Sequence, residues 1–387
     1  METTPTDLRK FVAPEYVFGV GARSLAGRYA ANLGARKVLV VSDPGVVAAG
    51  WTRDVTESLE EAGLPYVLFT GVSPNPRTDE VMAGTELYRS EGCNVLVAVG
   101  GGSPIDCAKG IGIVSSNRRH ILAFKGVDRV EMPMPPLICV PTTGGTSADV
   151  SQFAIISDRE EKNKFAIISK SVVPDLSLID PLTLTTMDPF LSACTGLDAL
   201  THGIEAFVSN ASSPMTDLNA IEAIRLLARH LIPSLENPGD VVLRSKVMEG
   251  SLLAGLAFSN AILGAVHAMA HSLGGALDLP HGECNAILLD HVIEYNFPSS
   301  PERFERIAEA MGIDLRGLTA QGKKKALLEG IRKIKRAAGV DLHLGGLGVK
   351  GGDVSSLSKK ALLDPCLITN PRPANRRDIE VIYEESL

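Results

Sequence analysis

Nothing in this chain marks it for a membrane, a nucleic acid or an oxidising compartment. Its 387 residues hold no long basic run and carry a formal net charge of −7, so neither nucleic acid nor an anionic membrane is an indicated partner. The basic stretches 323–325 and 332–336, with apolar residues between them, read as one solvated helix face. The six cysteines show no CxxC pair and no regular spacing, which argues for reduced thiols rather than a disulfide framework. Residues 1–18 lack the apolar centre of a secretion signal, and a cytoplasmic protein is expected. The most apolar stretch, 252–266, is too short for a membrane span and carries Ser259 and Asn260, so it reads as a buried helix. Repeats and low-complexity tracts are missing. So is the GxGxxG fingerprint, of which Gly19-Val-Gly21 is only a fragment with no clear helix behind it.

What is present suits a large α/β protein. With 45% hydrophobic and 21% charged residues the chain can bury a substantial core, and 37 glycines suit tight strand-to-helix turns. Strands are expected at 38–41, 66–69, 95–99 and 137–140, with helices at 54–62, 79–91 and 105–114. Each apolar run is bounded by Gly, Pro or Asp, as buried parallel strands usually are. That rhythm predicts a doubly wound, Rossmann-like parallel sheet with ligands at the carboxyl ends of its strands. After about Pro181 helical patterns take over, at 193–208, 215–235, 241–256, 261–277, 301–311 and 322–338. The expected division is an α/β dinucleotide-binding domain over 1–184 and an all-helical metal-binding domain over 185–387, with the active site in the cleft between them.

Four segments could carry chemistry. Val95-Leu-Val-Ala-Val-Gly-Gly-Gly-Ser-Pro-Ile-Asp106 is a strand ending in three glycines before a helix. Glycines let a phosphate approach the backbone, and a helix start offers unpaired N–H groups and a positive dipole end. The plainer alternative is a strand-to-helix turn with Ser103 as N-cap and Pro104 at the first helical position. Pro141-Thr-Thr-Gly-Gly-Thr-Ser147 either lines a ligand pocket or forms a hydrogen-bonded turn. Asp198 and His202, four apart on one helix face, either grip a cation or bond to each other. His267, His271 and His281 fall within fifteen residues, out of eight histidines in the chain. Three imidazoles and one carboxylate on otherwise apolar helices are most economically read as a divalent metal site, and that donor set suits Fe²⁺, Zn²⁺, Co²⁺ or Ni²⁺.

Together, GGGSPID, PTTGGTS, GLDALTHGIEAF and HAMAHSLGGALDLPHGECNAI resemble the iron-containing (group III) alcohol dehydrogenases, and the likeness runs from Phe11 to Arg372. The resemblance implies hydride exchange between a short primary alcohol and NAD⁺, in an assembly of at least two copies. It implies Asp198, His202, His267 and His281 as ligands of Fe²⁺, with Zn²⁺ or another divalent ion as substitutes, and His271 beside the substrate as the proton carrier. It places Gly100, Gly101, Gly102 and Ser103 at the pyrophosphate and Asp43 at the adenosine ribose. Asn75, Asp106, Thr142, Thr143, Thr146, Lys164 and Leu182 join the nucleotide contacts, Phe258 lies near the nicotinamide, and Cys366 sits in a loop closing the site. One departure stands out: the family reads Gly-Ser-Glu where this chain has Ser147-Ala148-Asp149. If a hydroxyl at position 148 helps hold the cofactor, modest turnover follows, with Ala148→Ser restoring it. The same departure is what favours a rival reading, a sensing or regulatory protein that keeps the fold and metal but turns over little.

Overall fold

The computed structural model describes residues 10–387, which divide into two compact units, Val12–Met187 and Asp188–Leu387. The first unit is built on nine strands: β1 Glu15–Phe18, β2 Val38–Val41, β3 Tyr66–Phe69, β4 Val95–Gly100, β5 Gly126–Val127, β6 Leu137–Pro141, β7 Phe153–Asp158, β8 Asn163–Ile168 and β9 Leu176–Ile179. Six of them form one parallel sheet in the order β1-β9-β6-β4-β2-β3. The remaining three form a small sheet, β5-β8-β7, in which β7 and β8 run antiparallel.

The side-chain alternation shows why the large sheet must be covered on both faces. Leu39 and Val41 of β2, Leu96 and Ala98 of β4, and Leu137 and Cys139 of β6 enter one core with Val81, Ile105 and Ile111. Their neighbours Val38, Val40, Val95, Val97, Val99, Ile138 and Val140 enter a second core with Ala26, Ala30, Val55 and Leu59. Every residue of β2, β4 and β6 is buried, as expected of a doubly wound parallel sheet. The chain leaves β2 toward β3 on one side and returns to β4 on the other, so the strand order reverses between β2 and β4. In open sheets of this kind the crevice for ligands lies beyond the carboxyl ends of such a strand pair.

The expected central strands are present at their expected positions, while β1 and β5 and the run β7–β9 extend beyond the sequence reading. The strand expected to end at 99 continues to Gly100, and the helix after it begins at Gly102 rather than 105.

The second unit contains nine α-helices and no strand among its described residues. Helices Pro189–Val208, Pro214–Glu236 and Val241–Ala261 pack on one another, and Ala265–Leu277 packs against His281–Asn296 and Val354–Ala361. The helix expected at 261–277 starts later because the chain turns by 97° after Ala261, through Ile262 at φ +61. No single helix among the described residues is long and apolar enough to cross a membrane.

Close packing of helix Ala26–Asn32 on Trp51–Glu61 gives a direct test of this arrangement. A Cβ on Gly27 would lie 1.9 Å from the carbonyl oxygen of Ser58. Backbone cannot yield as a side-chain tip can, so Gly27→Ala is expected to destabilise the protein by about 1–3 kcal/mol. A urea midpoint equal to that of the unsubstituted protein would contradict the helix pairing.

Candidate metal and nucleotide sites

In the first unit the glycine and threonine motifs are in contact. Gly100 has φ +154, and a Cβ there would meet Cγ of Pro104 at 2.5 Å. Added Cβ atoms on Gly101 and Gly102 would meet Cγ2 of Thr143 at 2.8 Å and of Thr146 at 3.0 Å. The backbone of Thr142 closes the pair by donating to the Gly100 carbonyl at 3.0 Å. The helix Gly102–Asn117 has Gly101, not Ser103, at its N-cap, and so has no side-chain cap. The capping alternative for Ser103 is therefore set aside. Its hydroxyl instead accepts the Asn75 N–H at 3.3 Å, and Asn75 Oδ1 accepts from Lys164 Nζ at 2.6 Å. Thr143 Oγ1 is buried with no hydrogen-bond partner among the described residues.

Asp106 reaches the small sheet, accepting from the Ile155 N–H at 3.1 Å through Oδ2, while its buried Oδ1 has no partner among the described residues. Burial pushes its carboxyl up to about 6, against the pull of Lys109. Lys109, which the sequence reading passed over, is fully buried and donates to the Ser151 and Phe153 carbonyls at 2.9 and 2.6 Å. Burial lowers its pKa, opposed by Asp106. Asp43 follows β2, where its Oδ1 accepts the Val46 N–H at 2.9 Å and caps helix Pro44–Ala48. Leu182 lies in the turn Pro181–Thr186, its N–H bonded to Asp180 Oδ1 at 3.1 Å. Asp180 also accepts from the Gly21 N–H at 2.9 Å, which gives the Gly19-Val-Gly21 fragment a structural anchor.

In the second unit, helices Pro189–Val208, Ala265–Leu277 and His281–Asn296 bring Asp198, His202, His267 and His281 together. Asp198 Oδ1 lies 3.6 Å from His267 Nε2 and 3.9 Å from His202 Nε2. Asp198, His267 and His281 each offer a ligand atom within 4.8 Å of the others. The His202 ring stacks on His267 with centroids 4.5 Å apart and on Phe258 at 4.3 Å, so the aromatic expected near the nicotinamide belongs to this unit. Burial works against ionisation of Asp198, yet the imidazoles of His202, His267 and His281 hold its carboxyl well below the usual range.

Three neighbours escaped the sequence reading. Glu205 shares a helix face with Asp198 and His202, and its Oε2 meets His267 Nδ1 at 2.6 Å. It also accepts the Gly264 and Val266 N–H groups at 3.1 and 2.7 Å, at the positive end of helix Ala265–Leu277. Burial would lower the His267 pKa, but Asp198 and Glu205 push it up to about 9. Gly264 permits this contact, since a Cβ there would lie 2.8 Å from Glu205 Oε1. Asn285 is fully buried beside Asp198. Asp364 bonds His271 Nδ1 at 2.8 Å through Oδ2 and accepts the Cys366 N–H at 2.8 Å through Oδ1. Cys366 is buried on the short helix Pro365–Thr369, its sulfur near His271 and Asp364, and burial drives its thiol pKa well up. The i, i+7 spacing of Asp198 and Glu205 was available as a signal. Asn285 had none, because helix His281–Asn296 starts without a side-chain cap.

The chain belongs to the iron-containing alcohol dehydrogenase family: the family's model matches residues 13–181, and the model of its C-terminal domain matches residues 192–387. Its reaction class is that of the alcohol dehydrogenases, the interconversion of alcohols and carbonyl compounds. It is 40% identical to the 1,3-propanediol dehydrogenase of Citrobacter freundii over 371 residues, 95% of this chain and 96% of that one. It is 34% identical to the NAD-dependent methanol dehydrogenase of Bacillus methanolicus over 377 residues, 97% of this chain and 99% of that one. The crystal structure of a 1,3-propanediol oxidoreductase superposes with a TM-score of 0.95 at 39% identity, covering 98% of this chain and all (100%) of the other. All three of these relatives are described as enzymes, and the regulatory alternative gains nothing from them.

The departure at Ser147-Ala148-Asp149 takes a different meaning in three dimensions. Ser147 adopts φ +48, the left-handed region that glycine, the family's residue, occupies without strain. Asp149 is buried and accepts from Ser177 Oγ at 2.6 Å. Ala148 is packed into the core shared by Leu39, Ile105 and Cys139, so a hydroxyl there would face apolar side chains. Contrary to the sequence expectation, Ala148→Ser should lower stability by about 1–3 kcal/mol without tightening NAD binding. Thermal melts and NADH titration of the two proteins would decide it, and an Ala148→Ser protein of equal stability with raised kcat/KM would restore the original reading.

Proposed function

We propose that the second unit holds one divalent ion through Asp198, His202, His267 and His281, and that the first unit binds NAD, for oxidation of a short primary alcohol to its aldehyde and the reverse. The observation that carries this reading is the convergence of Asp198 Oδ1 with the Nε2 atoms of His267 and His202 in a buried helical interior. Buried anionic and lone-pair donors facing one point are costly unless a cation meets them. Glu205 supports the assignment, since its carboxylate against His267 Nδ1 keeps that proton there and turns Nε2 toward Asp198. Imidazole and carboxylate donors suit Fe²⁺, with Zn²⁺ as a substitute. An ion bound there supplies positive charge at the alcohol oxygen as that oxygen loses its proton. NAD held by the first unit would supply the acceptor for the hydride that the carbinol carbon gives up.

His271 is placed to carry the hydroxyl proton. Asp364 accepts at Nδ1, which leaves Nε2 as the atom that takes the proton in the oxidative direction. The open helix start at Gly101–Ser103 and the unpartnered Thr143 Oγ1 and Asp106 Oδ1 are the groups we assign to the pyrophosphate and the remainder of the cofactor, together with Thr142, Thr146, Asn75, Lys164 and Leu182. Phe258, stacked on His202, is assigned to shielding the reacting carbon. The six cysteines are all buried free thiols, which fits a cytoplasmic setting. Tyr16, Phe18 and Val20, exposed at or beside the edge strand β1, fit self-association into at least a dimer.

The central experiment is a panel of alcohols and aldehydes with NAD(H), using protein loaded anaerobically with Fe²⁺. Steady NADH production with short primary alcohols is expected, and binding without turnover would return weight to the sensing alternative. Elemental analysis should show His267→Ala strongly depleted in metal and His271→Ala retaining it. Equal loss in both would undo the separation of ligand from proton carrier. NAD should be preferred over NADP, because Asp43 meets a 2′-phosphate with like charge. Asp43→Gly should narrow that preference, and unsubstituted protein using both cofactors equally would refute the role given to Asp43.

A further inference from the structure

Asn285 stands in an unusual place. It lies four residues after His281 on the same helix and is fully buried. Its Nδ2 is 2.6 Å from Asp198 Oδ1, 3.1 Å from His267 Nε2 and 3.1 Å from His281 Nε2. These are atoms assigned above to the metal, and one amide nitrogen faces all three. Such a nitrogen carries two hydrogens. Two hydrogens cannot be directed at three neighbouring heteroatoms at once. The opposite orientation would set Oδ1 against the Asp198 carboxylate, so the nitrogen faces inward. Oδ1 itself is buried and has no partner among the described residues, so nothing holds the far end of the amide.

We propose that the Asn285 amide is a stand-in for the cation: it holds Asp198, His267 and His281 together in the metal-free protein, and swings aside as the ion takes its place. The inference rests on the metal-site reading above and adds a competitor built into the site. An amide held only through its nitrogen can rotate away with no second bond to break. While it occupies the site, it gives the buried Asp198 carboxylate an N–H donor. Since its two hydrogens cannot serve all three neighbours, a divalent ion displaces it readily. Apparent metal affinity is therefore lowered by the strength of the contacts the amide gives up.

The test compares unsubstituted protein, Asn285→Ala and Asn285→Asp, each stripped of metal and then titrated with Zn²⁺ against a chelating indicator, with thermal melts at both ends. Asn285→Ala should melt lower than the unsubstituted protein when metal-free. Its Zn²⁺ affinity should be about two- to tenfold tighter, the worth of the lost hydrogen bonding. Asn285→Asp keeps the shape but exchanges donors for a carboxylate, so its metal-free form should be the least stable of the three and its rise in Tm on adding Zn²⁺ the largest. Weaker Zn²⁺ binding by Asn285→Ala, or an unchanged Tm rise in both variants, would overturn the proposal and make the amide a support of the loaded site. Failure of the unsubstituted protein to take up Zn²⁺ or Fe²⁺ would instead sink the metal reading, and this proposal with it.

Discussion

The second unit is organised around a carboxylate that ought not to be comfortable where it is. Asp198 lies in the middle of helix Pro189–Val208, 1% exposed, with an amide and imidazoles as its polar company. A buried charge persists only when opposite charge or hydrogen bonds answer it. Everything nearby answers it: His202 one turn on, His267 and His281 from two other helices, and the Asn285 amide. The sharp turn after Ala261 follows from the same demand. It ends one helix and starts the next at Gly264, so that three N–H groups at the new helix start meet Glu205 and Asn370. Glu205, held in that way, aims His267.

This arrangement links binding chemistry to fold stability. A helix start that takes its cap from a carboxylate on another helix loses that cap if the carboxylate moves. Glu205 therefore has two duties, orienting an imidazole and completing helix Ala265–Leu277. Asp364 does the same on a smaller scale, capping Pro365–Thr369 with one oxygen and holding His271 with the other.

The first unit solves a different problem, approach to the backbone. Gly100, Gly101 and Gly102 leave no room for a Cβ, because Pro104, Thr143 and Thr146 already occupy that space. The glycine loop is thus shaped by its neighbours as much as by any ligand. Buried Lys109 ties the same helix to the segment leading into β7, fixing the small sheet to the glycine loop's helix.

Much of this was legible in the chain. The apolar runs of β2, β4 and β6 and their turn residues announced a parallel sheet, and the i, i+4 pairs placed Asp198 with His202 and His267 with His271 on single helix faces. Short edge and antiparallel strands such as β1, β7 and β8 were not legible, because runs of four to six residues with polar members acquire a strand partner only through the fold. Helix His281–Asn296 opens without a side-chain cap, so its start left no mark in the sequence. The sequence by itself determined which donor atoms are available and how they are spaced along each helix, since helical geometry is local. Tertiary structure alone decided which way His267 points its lone pair, because the Glu205 that holds its other nitrogen is 62 residues away. It decided that Asn285, 87 residues from Asp198, lies against Asp198, His267 and His281, and that Ala148 faces the core. Proton placement and side-chain direction are properties of contacts, and these contacts exist only once distant helices have packed.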